Sequence, residues 1–568
     1  MGAAASQADP FIELLGPTGP AAPPVKVLVP AAAGGDMAMG AFEAADRYDQ
    51  ALSLWAPPIR SADADLLPEK EILDARSRDM VRNDAYVQGG ANLHKDNIVG
   101  SQYLLNARPA TKVLFGKQDD RWEEAFQEEV EEKFDLWAES PDNWVDAARR
   151  NTFTEMVRMV VGITMFSGEF LASVEFIKDD GSPFNTAIQL IDLDRLSTAP
   201  LSYMDQNVRS GIRMNNRGAP VAYQVRTQHP SDLTWKMGLP DWKEVAVRKP
   251  WGRLQMVHIY EQTRVDQSRG VAEMVTALKE MRMAHKLRDV NLQRHVTQAL
   301  YAATITSDLP TEAVMASLGS TTNSEQVAEG LAKYANGYLT EVGKYAGEAK
   351  GLRVDGVRIP HLYPGTKLDL TSPAKDSSIG TDFEQSILRY IASAIGVSYE
   401  QLSRDYTNTN YSSARAAMTE TWKYMQSRKK FVADKFASIV FRLWLEEAIN
   451  NDQLTSFPKS MAPMLYTKGV LNLKFQAISR ADWVGASRGQ IDELKETQAA
   501  VLRINNGLST AEDELARLGK DFRKVYRQLA REQKMRKFYG LMFAASDPSV
   551  LALAAEPTDT GIAPRSDQ

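Results

Sequence analysis

The chain has 568 residues, of which 43% are hydrophobic and 25% charged, and its formal net charge is −6. This length exceeds what a single hydrophobic core usually supports, so several domains are expected. The acidic balance argues against a protein that simply coats nucleic acid. The absence of cysteine excludes disulfides, thiolate metal sites and cysteine nucleophiles, and it is compatible with the bacterial cytosol.

Both ends of the chain are predicted to be disordered, and neither is predicted to enter a membrane. Residues 1–45 are rich in Ala, Pro and Gly, and such a composition buries little surface. The tail at 546–568 is small and polar. No uninterrupted apolar run reaches the ~18 residues of a membrane-spanning helix, and the amino terminus lacks the features of a secretory signal.

Residues 46–269 are predicted to combine helices with strands. Apolar residues at helical spacing predict helices at Glu69–His94, Trp122–Trp137 and Phe153–Phe166. Short alternating segments predict strands at Glu169–Ile177, Thr186–Leu193, Ile212–Met214, Val221–Thr227 and Leu254–Tyr260, with a turn at Asn215–Gly218.

The second of these helices carries an acidic run beside its apolar side. The run consists of Glu123, Glu124, Glu128, Glu129, Glu131 and Glu132. We interpret it as a solvated helix face. Binding of a metal ion or of a basic partner is the alternative.

A long helix is predicted at 270–304, followed by an insert at 305–375 and a second helix at 376–397. The insert is helical at first, and a β portion with turns at Asp355–Gly356 and Pro364–Gly365 follows. The second helix has a capping-box spacing at Asp382 and Gln385, and Gly396 can end it.

The stretch from Asp382 to Glu447 is predicted to be two helices joined by a polar loop. A further capping box at Ser398 and Gln401 predicts one extra helical turn. The loop itself is Tyr406–Asn410, whose side chains compete for backbone hydrogen bonds. Ser412 or Ser413 is then predicted to cap a long helix whose apolar face runs to Glu447, the one residue that breaks it.

The long helix also has a basic side. Between positions 415 and 442 there are seven cations and two acids, which gives a net charge of +5. The cations are Arg415, Lys423, Arg428, Lys429, Lys430, Lys435 and Arg442. A solvated amphipathic helix and a helix that borders a polyanion both fit this pattern.

The remaining chain is predicted to return to loops and strands at 448–485 and then to form helices at 486–545. The predicted helices are Ser487–Ile504, Thr510–Leu518 and Asp521–Phe538. The last is basic, with eight cations between Lys520 and Lys537 against Asp521 and Glu532. Either a solvated face or a contact with DNA would explain this charge.

No catalytic residue, metal site or cofactor is predicted. The nearest approach to a phosphate-binding loop, Gly337–Tyr345, has the wrong spacing and lacks the final Ser or Thr. The six histidines are scattered, and no two have the i, i+4 spacing of a helical metal site. Asp192 and Asp194 alternate along a predicted strand, but two carboxylates are too common to indicate a nuclease.

Several segments together resemble the portal proteins of lambda-like tailed bacteriophages. They include GVSYEQLSRDY from Gly396, YSSARAAMTETW from Tyr411, RKKFVA from Arg428 and FRLWLEEAI from Phe441. The resemblance extends outward through LYAATITSDL, VRIPHLYPGTKLDL and DWVGASRGQIDELKE. It covers roughly residues 250–530 well and the earlier part more loosely.

The resemblance implies an α+β, mainly helical fold that assembles into a ring, usually of twelve copies, at one capsid vertex. Double-stranded DNA would enter and leave through this ring, without sequence specificity. The partners implied are the terminase motor, head-tail adaptor proteins, and the major capsid and scaffold proteins. The location implied is the virion, after assembly in the host bacterial cytoplasm, with no membrane contact.

The family's parts would fall on this chain as follows. The wing is 46–269 with a return at 448–485, the stem helices are 270–304 and 376–397, the clip is 305–375, the channel loop and long helix are 398–447, and the crown is 486–545. A ring-forming head-tail joining protein without a DNA-conducting role is the alternative function. A packaging motor or nuclease is disfavoured, because no phosphate-binding loop is found.

Four groups of site residues follow from this reading. Tyr406, Thr407, Asn408, Thr409 and Asn410 are expected to face DNA in the channel. Arg415, Lys423, Arg428, Lys429, Lys430 and Lys435 are the basic residues expected near DNA. Arg353, Asp355, Arg358, His361 and Tyr363 are expected to dock the motor and the adaptor, and Arg523, Lys524, Arg527 and Arg531 are the basic residues of the crown.

Overall fold

The structure is a computed structural model, and it describes residues 54–178, 181–234, 241–300, 333, 336, 352–354, 357–359, 378–407, 409–489 and 492–540. The ends predicted to be disordered lie outside the described residues. So does most of the predicted clip, including Asp355, His361 and Tyr363, and so does Asn408. The chain from Ser61 onward forms one unit.

The first part of this unit is mostly helical. Its helices are α1 (Ala62–Leu66), α2 (Lys70–Asn83), α3 (Ala85–Ile98), α4 (Thr111–Phe115), α5 (Asp120–Ala138) and α6 (Phe153–Ser167). The predictions at Trp122–Trp137 and Phe153–Phe166 are confirmed as α5 and α6. The helical pattern predicted at Glu69–His94 is confirmed as two helices, α2 and α3, which are separated because Asp84 is extended and its carboxylate caps α3.

The same part of the chain contains antiparallel strands, most of which follow α6. They are β1 (Leu104–Ala107), β2 (Glu169–Phe176), β3 (Thr186–Ile191), β4 (Val208–Arg209), β5 (Ile212–Met214), β6 (Pro220–Arg226), β7 (Trp242–Ala246) and β8 (Met256–Tyr260). One sheet has the order β3-β2-β8 and another β4-β5-β6-β7. The predicted turn at Asn215–Gly218 joins β5 and β6. Strand β7 was not predicted, because it is an edge strand whose side chains are all exposed or half-buried.

The later part of the chain adds the remaining elements. They are α7 (Leu278–Leu300), β9 (Leu352–Val354), β10 (Val357–Ile359), α8 (Ser378–Ile395), α9 (Tyr399–Ser403), α10 (Tyr411–Arg428), α11 (Asp434–Asn450), β11 (Tyr466–Thr467), β12 (Val470–Leu471), α12 (Leu473–Ile478), β13 (Ala481–Val484), α13 (Glu493–Asn505), α14 (Ala511–Arg517) and α15 (Phe522–Tyr539). Strand β13 pairs with β1 and so joins distant parts of the chain. Among the described residues, no helix is long and apolar enough to cross a bilayer.

Aromatic rings fill the centre of the core. Phe134 of α5 lies within 5.7 Å, centroid to centroid, of Phe153, Phe441 and Trp444. Trp137 and Trp444 are fully buried. Such ring pairs add to the burial of apolar area, so α11 is fixed to the first part of the chain by its apolar face, as its periodicity predicts.

The long helix is continuous through α10 and α11 but is not uniform. A five-residue π-helical segment, Lys429–Ala433, joins the two α-helical parts. Such segments occur mostly as single-turn insertions and often lie at functional sites. No local sequence signal predicted it. The cap of α10 also differs from the prediction, because Asn410 and not Ser412 or Ser413 accepts the capping hydrogen bond.

Helices α7 and α8 lie side by side. Arg288 of α7 contacts Glu384 of α8, with Nε 3.8 Å from Oε1, and it donates to Asp84 through Nη2. The start of this pair differs from the prediction. Residues 270–272 precede a 3-10 segment at Glu273–Ala277, so α7 begins only at Leu278. Helix α8 begins at Ser378, and Asp382 is therefore inside the helix and is not its cap.

Candidate functional site

The candidate site is the loop between α9 and α10, and local hydrogen bonds shape it. The capping box predicted at Ser398 and Gln401 is confirmed. Arg404 ends α9 with a left-handed φ of 57°. The carboxylate of Asp405 then accepts hydrogen bonds from the backbone N–H and the hydroxyl of Thr407, at 3.0 and 2.6 Å. These bonds lower the pKa of Asp405.

The far end of the loop is held in the same way. Asn410 Oδ1 accepts from the backbone N–H and the hydroxyl of Ser413, both at 2.8 Å. Tyr406, Thr407 and Asn410 are exposed, and Thr409 is half-buried. Tyr406, Thr407, Thr409 and Asn410 therefore present uncharged polar groups next to the charged Arg404 and Asp405. The caps of the loop satisfy part of its hydrogen-bonding capacity.

The loop is attached to the body of the chain through a close contact at Gly396. Its φ is 77°, and a Cβ there would lie 2.4 Å from the ring of Tyr424. Only glycine fits such a position without strain. The carbonyl of Ile395 accepts from His94 Nε2 at 2.9 Å. Burial lowers the pKa of His94 to about 4, so this imidazole is neutral and donates that hydrogen bond.

Two residues near the end of α10 connect this helix to the segment that precedes α7. The hydroxyl of Tyr424 donates to Glu273, and Arg428 forms ion pairs with Glu261 and Glu273. The guanidinium of Arg428 also lies 5.4 Å from the ring centroid of Tyr424. This connection was not predicted, although the i, i+4 spacing of Tyr424 and Arg428 puts both side chains on one face of α10.

The predicted basic side of the long helix divides into two classes. Arg428 is paired as described, and Lys429 donates to Asp434 at 2.7 Å and to the carbonyl of Trp483 at 2.8 Å. Both are largely shielded from solvent. Arg442 is half-buried, and its guanidinium lies 5.5 Å from the ring centroid of Phe475. In contrast, the other four cations are exposed, and the described part of the chain gives them no ion-pair partner. They are Arg415, Lys423, Lys430 and Lys435.

Glu447, the break in the apolar face of α11, has a defined structural role. Its carboxylate accepts from the backbone N–H of Asn185 at 2.7 Å and from that of Thr186 at 2.8 Å. The side-chain amide of Asn185 donates to it as well. Glu447 therefore satisfies the first N–H groups of β3 and fixes this strand against α11.

A buried ionic cluster fixes the chain just before α7. Glu169 of β2 lies 2.7 Å from Arg269 Nη2, 3.0 Å from His258 Nε2 and 3.4 Å from Lys70 Nζ. Its carboxylate also accepts from the backbone N–H of Gly270 at 2.7 Å. Burial alone would raise the pKa of Glu169, but the neighbouring cations lower it well below its usual range.

Asp74 completes this cluster, because its Oδ1 accepts a hydrogen bond from Lys70 Nζ at 2.6 Å. Burial raises the pKa of Asp74 to about 6, even though Lys70 opposes the shift. Gly270 leaves no room for a side chain, since a Cβ would lie 2.4 Å from the carbonyl oxygen of Gly168. Electrostatics and close packing against β2 therefore set together the direction in which the chain enters α7.

The acidic run of α5 is only partly a solvated face, because α15 contacts it. Arg527 of α15 contacts Glu128 and Glu132, and Lys524 lies 3.0 Å from Asp135. Arg523 donates to the side chain of Gln127 and to the carbonyl of Glu124. The basic partner is therefore in the same chain, and the preferred interpretation of the acidic run is corrected. Arg531 is exposed, with no ion pair among the described residues.

One group of side chains has the composition of a metal site. Asp192, Asp194 and His229 bring three potential ligand atoms within 4.8 Å of one another. Arg78 Nη2 already lies 2.8 Å from Asp194 Oδ2, however, so a cation is present there. Of the predicted clip residues, Arg353 and Arg358 lie in the paired strands β9 and β10.

Comparison with known proteins identifies the class to which this architecture belongs. Residues 48–429 match the family described as "Phage portal protein, lambda family". The chain therefore belongs to the lambda family of phage portal proteins, which are structural proteins of the virion and not enzymes.

Two relatives match most of the chain. The portal protein of Escherichia phage N15 is 37% identical over 490 residues, which cover 86% of this chain and 88% of the relative. Portal protein B of Escherichia phage lambda is 36% identical over 494 residues, with the same coverage. A chain of the virion of a native gene transfer agent particle is similar at a TM-score of 0.35 and 12% identity, covering 82% of this chain and 95% of that one.

Proposed function

We propose that the chain closes into a ring of twelve copies at one capsid vertex and that double-stranded DNA is packaged and ejected through it. The observation that carries this proposal is the family match, which spans residues 48–429 and so includes the candidate loop. A closed ring requires heterologous interfaces, in which one surface meets a different surface of the next copy.

In this proposal the parts of the ring follow the family plan. Residues 46–269 with 448–485 form the wing, and the pairing of β1 with β13 supports this union of distant segments. Residues 270–304 and 376–397 form the stem, which the contact between α7 and α8 supports. Residues 305–375 form the clip, and residues 486–545 form the crown.

The loop Tyr406–Asn410 faces the bore and touches DNA through uncharged groups. Each phosphate that a cation neutralises releases counterions and strengthens binding, so a conduit needs few such contacts. Twelve copies at −6 each carry a charge of −72, which repels DNA overall. The exposed cations Arg415, Lys423, Lys430 and Lys435 give local attraction, whereas Arg428 and Lys429 are already neutralised within the subunit.

The partners follow from the same plan. The clip, with Arg353, Asp355, Arg358, His361 and Tyr363, docks the terminase during packaging and a head-tail adaptor afterwards. The wing meets the major capsid and scaffold proteins during assembly in the bacterial cytoplasm. In the crown, Arg531 is the cation of the predicted set that is available to packaged DNA, because Arg523, Lys524 and Arg527 contact α5.

Negative-stain images of the purified chain test the ring, and a closed annulus with a central hole is expected. The loop is tested by replacing Thr407–Asn410 with Gly and Ser. This variant should form rings but package or retain less DNA, because the bore loses its ordered polar lining. The same replacement at the turn Asn215–Gly218 is the control. Normal DNA filling by the loop variant would contradict the role given to the loop.

A further inference from the structure

The carboxy-terminal module, residues 492–540, is attached to the rest of the chain almost entirely by polar side chains. Helices α13 and α15 contain no buried residue, and the buried residue of α14 is Glu514. A surface helix usually turns its apolar side toward the core and its polar side toward solvent. The helices α13 and α15 bury no apolar side chain in this way.

Helix α13 is fixed by its polar side. Arg503 donates to Glu514 through Nε and Nη2, both at 2.9 Å. The hydrogen bond from Arg503 lowers the pKa of Glu514 to about 2, with Arg517 adding to the shift. Leu494 and Val501 lie about half a turn around the helix from Arg503, and they are 56% and 47% exposed.

Helix α15 repeats this arrangement. Its basic side faces α5 through Arg523, Lys524 and Arg527. Leu529 lies about 160° around the helix from Arg527, and it is 50% exposed. Tyr526, which packs against Phe522 at a ring distance of 4.1 Å, is exposed beside it. The module therefore presents two different apolar faces that the described residues leave uncovered.

We infer that these two faces meet each other between neighbouring copies, so that α13 of one subunit packs against α15 of the next. This inference rests on the proposed ring and names a contact that would help to close it. A closed ring joins two unlike surfaces, and the module carries such a pair. Burial of apolar side chains is the main driving force for such association.

Charge favours the same partner. Besides the three cations that contact α5, helix α15 carries Arg531, Lys534, Arg536 and Lys537 against Glu532, a net charge of +3. Besides Glu512, which pairs with Arg108, residues 493–517 of α13 and α14 carry four acids and three cations, a net charge of −1. The two surfaces therefore attract each other, and complementary charge sets orientation and partner choice at an interface.

The absence of cysteine from the chain makes a crosslinking test clean. A Val501→Cys, Leu529→Cys double variant is purified as full-length rings, treated with a short bismaleimide and run under denaturing conditions. A ladder of covalent oligomers up to the complete ring is expected. Each single variant should remain monomeric, since a heterologous contact never joins a residue to its own copy in the neighbour. The matched control is Val501→Cys with Gln528→Cys, which moves the second thiol away from the apolar face.

The outcomes separate the inference from the proposed function. Closed rings that stay uncrosslinked in the double variant would overturn the inference and leave the portal ring intact. A crosslink within one chain would also overturn it, because the faces would then be covered by the same subunit. Crosslinking by either single variant would indicate a symmetric contact and contradict the heterologous pairing. If the unmodified chain forms no rings in micrographs, the proposed function itself fails.

Discussion

Two clusters of charged side chains hold this chain together in different ways. Around Glu169 the ionic groups are buried, and the side chains of Lys70, His258 and Arg269 are at most 4% exposed. Between α5 and α15 the paired side chains of Lys524 and Arg527 and their partners are 40–60% exposed. The first cluster lies where the chain enters α7, and the second attaches the carboxy-terminal module.

The difference in burial changes what each cluster contributes. Removing one member of a buried ion pair leaves an uncompensated charge in a medium of low dielectric constant. Exposed pairs are screened by water and salt, and each contributes little. The Glu169 cluster therefore fixes one direction of the chain, whereas the pairs of α15 hold a module that salt can loosen.

The largest effect is expected for Glu169→Gln. In this variant Arg269 and Lys70 stay buried, and Asp74 is the one acid of the cluster that remains to compensate their charge. The free energy of unfolding should therefore fall by about 3–5 kcal/mol. Denaturant unfolding followed by tryptophan fluorescence measures it. Glu175→Gln, on the same strand but half-buried, is the control and should change stability by less than ~0.5 kcal/mol. Equal losses of stability in the two variants would contradict the larger contribution assigned to the buried charge of Glu169.

Glu447→Ala tests a buried carboxylate that hydrogen bonds hold and that has no ion pair among the described residues. Two backbone N–H groups, of Asn185 and Thr186, lose their acceptor, and the expected loss is about 2–3 kcal/mol. Glu447→Gln keeps one acceptor oxygen and should lose less. If both variants are equally unstable, the charge of Glu447 and not its hydrogen bonds would be the stabilising feature.

Glu131→Gln tests a half-buried acid beneath the attached module. Burial raises the pKa of Glu131 from an ordinary 4.5 to about 7. Between pH 4.5 and 7 the Glu131 carboxyl is ionised in the unfolded chain but still protonated in the folded chain. The free energy of unfolding therefore falls as pH rises from 4.5 to 7 and stays constant at higher pH. Glutamine removes this penalty, and the variant should be more stable than the parent at pH 8 by about 1–3 kcal/mol but not at pH 4.5.

Glu129 provides the matched control, two residues away on α5. Burial alone would raise the pKa of Glu129, but hydrogen bonds from Lys133, Ser456 and Thr455 lower it to about 2. Glu129→Gln should therefore destabilise the chain at pH 7, and the difference should shrink as pH falls toward 2. Thermal unfolding at pH 4.5, 7 and 8 distinguishes the two signs. The same pH dependence in both variants would contradict the environments assigned to these carboxyls.

Features that depend on neighbours in sequence could be predicted. The capping box at Ser398 and Gln401 needs residues three positions apart, and the apolar face of α11 needs only a regular repeat. The Asn410 cap was missed because Ser412 and Ser413 are equally good capping residues, and only the backbone shows which position precedes the helix. The family resemblance found the candidate loop from local motifs in the same way.

Features that depend on distant residues could not be predicted. Glu447 looked like a break in a pattern because Asn185, its partner, lies 262 positions away. The acidic run of α5 and the basic run of α15 were interpreted separately, although Arg527 and Glu132 are 395 positions apart. Arg428 likewise looked like part of a free basic surface until the fold brought Glu261 and Glu273 to it.

The smallest change in global stability is expected when Arg523, Lys524 and Arg527 are all replaced by Gln. Because each pair is exposed, it contributes at most ~1 kcal/mol, and the core does not depend on it. The module should nevertheless loosen, so amide exchange across 492–540 should accelerate while the core around Phe134 is unaffected. Raising salt from 0.1 to 1 M shortens the screening length from ~10 to ~3 Å and should speed exchange in the parent, with little further effect in the variant.

The control for this triple variant lies on the same helix. Replacing Arg531, Lys534 and Lys537 by Gln removes the same charge from positions that have no ion pair among the described residues. Exchange in the module should then match the parent and keep its dependence on salt. Equal acceleration in both triple variants would show that the net charge of α15, and not its contact with the carboxylates of α5, holds the module. Net charge alone does not fix a position, so the apolar faces of α13 and α15 would then have to position the module in an assembled ring.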